Sequence, residues 1–205
     1  MKKLELERDL RYRMADALGN GHSAAICRLG SMLVRLAPDD ARVFFQYGLG
    51  LLRLRRYAEA EKALKRAFEM DNSYYAAQYE LGHLCRDLGR FDEAESWYRS
   101  AIRTRPNSTI ARVFLGSLLA HRERFLEACV EFEQAVEVEG DVDEAYLNLG
   151  LCRRSLGQLD LAREMFQKAI SISPDYDDAK LGLADVEDAI AVERDFASVM
   201  PPRWN

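Results

Sequence analysis

The chain has 205 residues, 48% of them hydrophobic and 31% charged, a balance of a globular protein and not of a disordered one. Its net charge of −5 argues against general nucleic-acid binding, which calls for a strongly basic surface. With 5 prolines and 12 glycines there is little room for long loops, and the composition excludes a collagenous rod or a disulfide-stapled mini-domain.

The amino terminus, Met1-Lys2-Lys3-Leu4-Glu5-Leu6-Glu7-Arg8-Asp9, is charged throughout and has no apolar core of a secretory signal. No later stretch is apolar over the roughly 18 residues that a membrane span needs. Cys27, Cys85, Cys129 and Cys152 are scattered, without a C-x-x-C pair or metal-ligand spacing, which fits a reducing interior. The expected compartment is the cytoplasm, and Asn107-Ser108-Thr109 is then an accidental match to the glycosylation sequon.

Leu10, Met14, Ala17 and Leu18 form one helical stripe, and Ile26, Leu29, Leu33 and Leu36 a second, so residues 1–40 predict a helical hairpin. From residue 41 the sequence repeats itself every 34 residues. Gly48, Gly82, Gly116 and Gly150 keep that spacing, as do Ala60, Ala94, Ala128 and Ala162, and Ala67, Ala101, Ala135 and Ala169. Larger residues share the register: Tyr47, Leu81, Leu115, Leu149; Tyr57, Phe91, Phe125, Leu159; Leu64, Tyr98, Phe132, Phe166. The units are 41–74, 75–108, 109–142 and 143–176, each predicting two helices. In the last, Ala145, Leu149, Cys152 and Leu156 make one stripe and Ala162, Phe166, Ala169 and Ile170 the other. Gly157-Gln158 and Gly89-Arg90 supply turns, and Pro106 and Pro174 follow the second helices. Glycine inside a helix costs about 1 kcal/mol against alanine, so its fourfold recurrence implies a packing reason: close approach of two helices. Leu183, Val186, Ile190 and Phe196 then predict a terminal helix over 177–197, with Asp177, Asp178, Asp185, Glu187 and Asp188 on an acidic face. The tail 198–205 contains Pro201, Pro202 and Trp204 and is expected to be non-helical at its prolines. An exposed Trp204 could dock in an apolar groove, and the plainer reading is an incidental aromatic.

The columns Leu81-Gly82 … Gly89-Arg90-Phe91 … Ala94 … Tyr98 … Ala101 … Pro106 resemble a tetratricopeptide repeat, and Leu149-Gly150 … Gly157 … Ala162 … Phe166 … Ala169 … Pro174 resemble it at nearly every signature position. The bulky early position departs from the pattern, reading Phe44, Gln78, Arg112 and Tyr146. The proline column reads Asn72 and Gly140 in two units, and Arg55 and Glu123 replace the inter-helix glycine. The first hairpin is degenerate, with Met14 for glycine and Ile26 and Leu33 for alanine, although Pro38 keeps the proline column. The resemblance implies an all-α fold, a right-handed superhelical solenoid of antiparallel hairpins. Residues 1–40 would cap one end and 177–197 the other.

The resemblance also implies that first helices line a concave groove through the second, fifth, ninth and twelfth residues of each unit. These are Arg42, Phe45, Leu49 and Leu52, with Arg53 beside them; Ala76, Tyr79, His83 and Arg86; Ile110, Val113, Ser117 and Ala120; Glu144, Leu147, Leu151 and Arg154. Paired Lys and Asn of a carboxylate clamp are missing, with only Asn148 near that pattern. The expected ligand is an extended or helical peptide of another protein, with apolar anchors and acidic groups for the arginines. The alternative at each position is packing against a neighbouring hairpin or the terminal helix. His22, His83 and His121 lie in three different units outside any metal or nucleophile motif, and no phosphate loop is present. The expectation is therefore a non-enzymatic scaffold or adaptor without cofactor, metal or small-molecule substrate. Self-assembly into a homo-oligomer is the second reading. Nucleic-acid association through Arg53, Arg55, Arg56, Arg86 and Arg90 is the third.

Overall fold

A computed structural model describes residues 2–138 and 142–199; Gly140 and the tail residues 200–205, with Trp204, lie outside the described residues. Among the described residues there are eleven α-helices and no strand: α1 (Lys2–Gly19), α2 (Ser23–Leu36), α3 (Ala41–Arg53), α4 (Tyr57–Met70), α5 (Tyr75–Asp87), α6 (Phe91–Thr104), α7 (Thr109–His121), α8 (Phe125–Val136), α9 (Asp143–Ser155), α10 (Leu159–Ile172) and α11 (Asp177–Val199). The all-α hairpin-repeat fold expected from the columns is what the chain adopts. It divides into two compact units, one up to Pro106 with α1–α6 and one from Asn107 with α7–α11.

In the first unit α1/α2, α3/α4 and α5/α6 pack as hairpins, joined by α2 against α3 and α4 against α5. In the second, α7/α8 and α9/α10 form hairpins, with α8 packed on α9 and α10 on α11. The recurrent glycine is the socket for the recurrent large residue. A Cβ at Gly82 would stand 2.6 Å from the Tyr98 ring, one at Gly116 2.7 Å from Phe132, and one at Gly150 2.7 Å from Phe166. Gly48 meets Leu64 in the same way at 2.8 Å. All four large side chains are fully buried. Phe166 is held on two sides, because a Cβ at Gly182 of α11 would also lie 2.7 Å from its ring.

The degenerate hairpin solves the same problem with glycines elsewhere. Its own core joins Leu10, Met14 and Ala17 of α1 to Ile26, Leu29 and Leu33 of α2 and to Val43 of α3. Gly30 on α2 receives Tyr47, and Gly50 on α3 receives Ile26, with Cβ distances of 2.7 and 2.8 Å. Asp40 ties this cap to the next hairpin: Oδ1 accepts from the Arg42 N–H at 2.8 Å while Arg11 pairs with Oδ2 at 2.8 Å.

Each hairpin turn is closed by one backbone device. The N–H of Arg56 donates to Leu51 O, Arg90 to Cys85 O, Arg124 to Leu119 O and Gln158 to Arg153 O, with 2.8–2.9 Å between N and O. The preceding residue of each donates three residues back and takes a left-handed φ, the Schellman cap of a helix end. Gly89 and Gly157 fill that place at φ 73° and 72°, Arg55 and Glu123 at 57° and 59°. His22 donates to Ala17 O behind Gly21 at φ 68°, so the degenerate hairpin keeps the 34-residue turn column even where its small-residue columns fail.

The terminal helix follows its expected stripe only in part. Val186 is buried and Leu183 and Ile190 half-buried, whereas Phe196 is 63% exposed. The reason is length: α10 has 14 residues and α11 has 23, so residues 191–198 run beyond the hairpin with every side chain exposed.

A side chain in the left-handed region costs about 1–2 kcal/mol, partly offset by the greater unfolded-state entropy of glycine. Glu123→Gly and Arg55→Gly are each expected to raise stability by about 0.5–1 kcal/mol, and Gly157→Ala to lower it by about 1 kcal/mol. Chemical denaturation of the three variants checks both signs.

Candidate functional site

In the first unit, the expected first-helix positions of α3 and α5 form a cationic aromatic face. Phe45 of α3 meets the edge of Tyr74 with ring centroids 5.2 Å apart. On α5, Tyr75, Tyr79 and His83 follow one another at i, i+4 and i+8 and so share one side of the helix. Tyr75 stacks on Tyr79 at 6.1 Å, Tyr79 meets His83 edge-on at 4.4 Å, and His83 meets Tyr98 at 5.6 Å. The guanidinium of Arg105 lies 4.5 Å over the Tyr75 ring. Phe45, Leu49, Leu52, Ala76, Tyr79 and His83 are half-buried, which leaves each ring or chain with an open side.

The charges of this face are mostly cationic. Arg42 and Arg53 are exposed and, like Arg105, make no ion pair among the described residues. Arg86 bonds the neighbouring Asp87 at 2.9 Å. Glu80 on α5 is half-buried; burial pushes its pKa up and Arg53 draws it back. Burial likewise pushes His83 down to about 4, with Arg86 adding to the effect, so the imidazole is neutral near pH 7.

In the second unit the corresponding positions are arranged differently. Val113 and Leu147 are buried, at 6% and 7% exposure, so neither offers its side chain to a partner. Ser117, Ala120, Asn148 and Leu151 are half-buried, and Ile110 and Glu144 exposed. Arg154 is paired with Asp185 of α11. Leu147, Leu151 and Arg154 line an open cleft of ≈ 410 Å³ whose other wall is Asp178, Leu181, Gly182 and Asp185 of α11. The terminal helix thus supplies both a wall and the counter-charge.

Tyr74, Tyr75, Glu80 and Arg105 escaped the sequence reading. Tyr75 was detectable from its spacing to Tyr79 and His83. Arg105 gave no signal, because it follows a second helix and reaches Tyr75 only through closure of the hairpin. The arginines weighed for nucleic acid are largely committed: Arg56 pairs with Glu59 at 2.6 Å, and Arg90 with Glu61 at 2.8 Å and with Glu93. Arg90 holds the Glu61 carboxyl down to about 2. Among the described residues no three of His, Cys, Asp or Glu group to hold a metal ion, and no helix is long and apolar enough to cross a membrane. All four cysteines are buried thiols, and Cys152, deep beside Cys129, is pushed up to about 12, far from a reactive thiolate.

Two tetratricopeptide repeat models match the chain, over residues 45–109 and 143–176. No curated protein matches it in sequence. Among solved structures it is similar to MamA 41-end from Desulfovibrio magneticus RS-1, with 18% identity, a TM-score of 0.74, and coverage of 86% of this chain and 98% of that one. A tetratricopeptide repeat protein from Parabacteroides merdae superposes with a TM-score of 0.77 at 19% identity, covering 95% of this chain and 80% of that one. YrrB, described as a repeat protein of this kind with an unusual peptide-binding site, has a TM-score of 0.68 at 22% identity, with 81% and 86% covered. At these identities the likeness is one of fold.

The shift of His83 makes a pH prediction. Its folded pKa, about 4, lies below the ordinary 6.5, so between these values the unfolded chain binds the extra proton and stability falls as pH drops from about 6.5 toward 4. Glu80, shifted up, acts in the opposite sense above its ordinary 4.5. His83→Phe should flatten the acid-side loss and Glu80→Gln should steepen it, read as denaturation midpoints across that range.

Proposed function

Because the chain is a tetratricopeptide repeat protein, a fold that serves generally as a protein-interaction scaffold, we propose that it is a non-enzymatic adaptor that takes a peptide segment of a partner protein on the first-helix face of its first unit. The observation that carries this reading is the half-buried row Phe45, Tyr79 and His83 beside Arg42, Arg53 and Arg105, none of the three arginines making an ion pair among the described residues. Half-buried rings give a ligand's apolar side chains a surface at small entropic cost, and unpaired guanidiniums favour acidic groups over basic ones. An extended or helical peptide with apolar anchors and carboxylates meets both demands. Residues 41–74, 75–108, 109–142 and 143–176 are then the repeats, with 1–40 and 177–197 as caps. Four buried free thiols suit a cytoplasmic setting.

The test is selection of peptides from a random display library on the intact chain, followed by affinity measurement on variants. Tyr79→Ala and Arg53→Glu should each weaken the selected peptide by about tenfold or more, the scale of an interface hot spot. Leu151→Arg, in the cleft walled by α11, should leave its affinity within about twofold. Undiminished binding to Tyr79→Ala and Arg53→Glu would refute the assignment.

A further inference from the structure

The chain carries, at its other end, a helix of the chemistry that this face would take. Residues 191–198 of α11 extend past α10 with no buried side chain. This free end is about 12 Å of helix at 1.5 Å per residue. Val192 and Phe196 are 67% and 63% exposed and, four residues apart, share one side of it. The acids fall around the same pair: Asp188 lies four residues before Val192, Asp195 three after it, and Glu193 three before Phe196. Glu187 adds a further carboxylate, and Arg194 is the one base in the stretch. An apolar pair ringed by carboxylates, held in a helix and exposed among the described residues, is complementary in sign and in hydrophobicity to rings flanked by guanidiniums that make no ion pair there.

We propose that the free end of α11 docks on the first-helix face of the first unit of a second copy of this chain. Phe196 and Val192 lie against the Tyr79 and Phe45 rings, and the carboxylates face Arg42, Arg53 and Arg105. The inference rests on the assignment of that face as the peptide site and adds its occupant. The two surfaces differ, so the contact is head to tail: each copy keeps one free helix end and one free face, and assembly continues into a ring or a filament. A partner peptide and the second copy would use the same face, so partner binding would disassemble the oligomer.

Sedimentation of the full chain over about three decades of concentration tests this. The expected result is a mass that rises with concentration and falls back with added salt, which screens exposed charge pairs. Phe196→Glu, which spares the face, and Arg53→Glu, which spares the helix end, should each sediment as monomers with unchanged helicity. Val192→Asp provides a second variant of the helix end, also at an exposed position. The decisive arm is an equimolar mixture of Phe196→Glu and Arg53→Glu. One supplies an intact face and the other an intact helix end, so the mixture should form a 1:1 dimer and nothing larger. A wild-type chain monomeric at every concentration would overturn the proposal. So would assembly that survives Arg53→Glu, since the helix end would then be pairing with something else, such as another α11. If library-selected peptides bind in a Tyr79-dependent way while the chain stays monomeric, the face is a site for a different protein. The self-docking inference then fails and the peptide-site reading stands.

Discussion

Everything in this chain depends on the meeting of a glycine on a first helix with a large buried side chain on the second. A Cβ at Gly82, Gly116 or Gly150 would fall within 2.6–2.7 Å of an aromatic carbon, closer than non-bonded carbons approach. The helices therefore approach as closely as bare backbone allows, and the ring of Tyr98, Phe132 or Phe166 fills the space between them. Because the same pair recurs every 34 residues, each hairpin has the same internal spacing and offers its neighbour the same surface. The alanine columns continue the close contact: Ala60, Ala94, Ala128 and Ala162 are fully buried, as are Ala67, Ala101, Ala135 and Ala169. The first hairpin and α11 obey the constraint in altered form, through Gly30, Gly50 and Gly182.

This is why most of the fold could be read from the sequence. A socket and its occupant are both visible as residue types at fixed spacing, and so are the stripes of Leu10, Met14 and Ala17. The turn was only half visible. Gly89 and Gly157 announced it, while Arg55 and Glu123 seemed to depart from it, yet all four adopt the same left-handed geometry. The demand there is on backbone φ, not on space, and an arginine or glutamate meets it at an energetic cost that a sequence does not display. Phe196 misled for another reason. Its spacing continues the stripe of Val186 and Ile190, but periodicity is blind to where the opposing helix ends.

The candidate site was legible in its residues and not in its differences. The positions taken at equal spacing from each unit include Phe45, Tyr79 and His83, which form an aromatic row, and Val113 and Leu147, which are buried. Nothing in the repeat register separates these cases. Leu147 is buried where α11 packs against α9 and supplies Asp185 to Arg154, whereas Arg42, Arg53 and Arg105 make no ion pair among the described residues and only the half-buried Glu80 feels Arg53. One acidic helix thus leaves the second unit with Arg154 already answered.

A double-mutant cycle on Gly116 and Phe132 tests the central constraint most directly, by denaturation of Gly116→Ala, Phe132→Leu and the pair. If the glycine is there to admit the ring, Gly116→Ala destabilises by about 1–3 kcal/mol through overpacking, although alanine is the better helix former. Trimming the ring then relieves part of that loss, so the double variant is more stable than the sum of the single changes by more than about 0.5 kcal/mol. If instead Gly116→Ala stabilises by the roughly 1 kcal/mol that helix propensity alone would give, and the two changes simply add, the account of the fold is wrong.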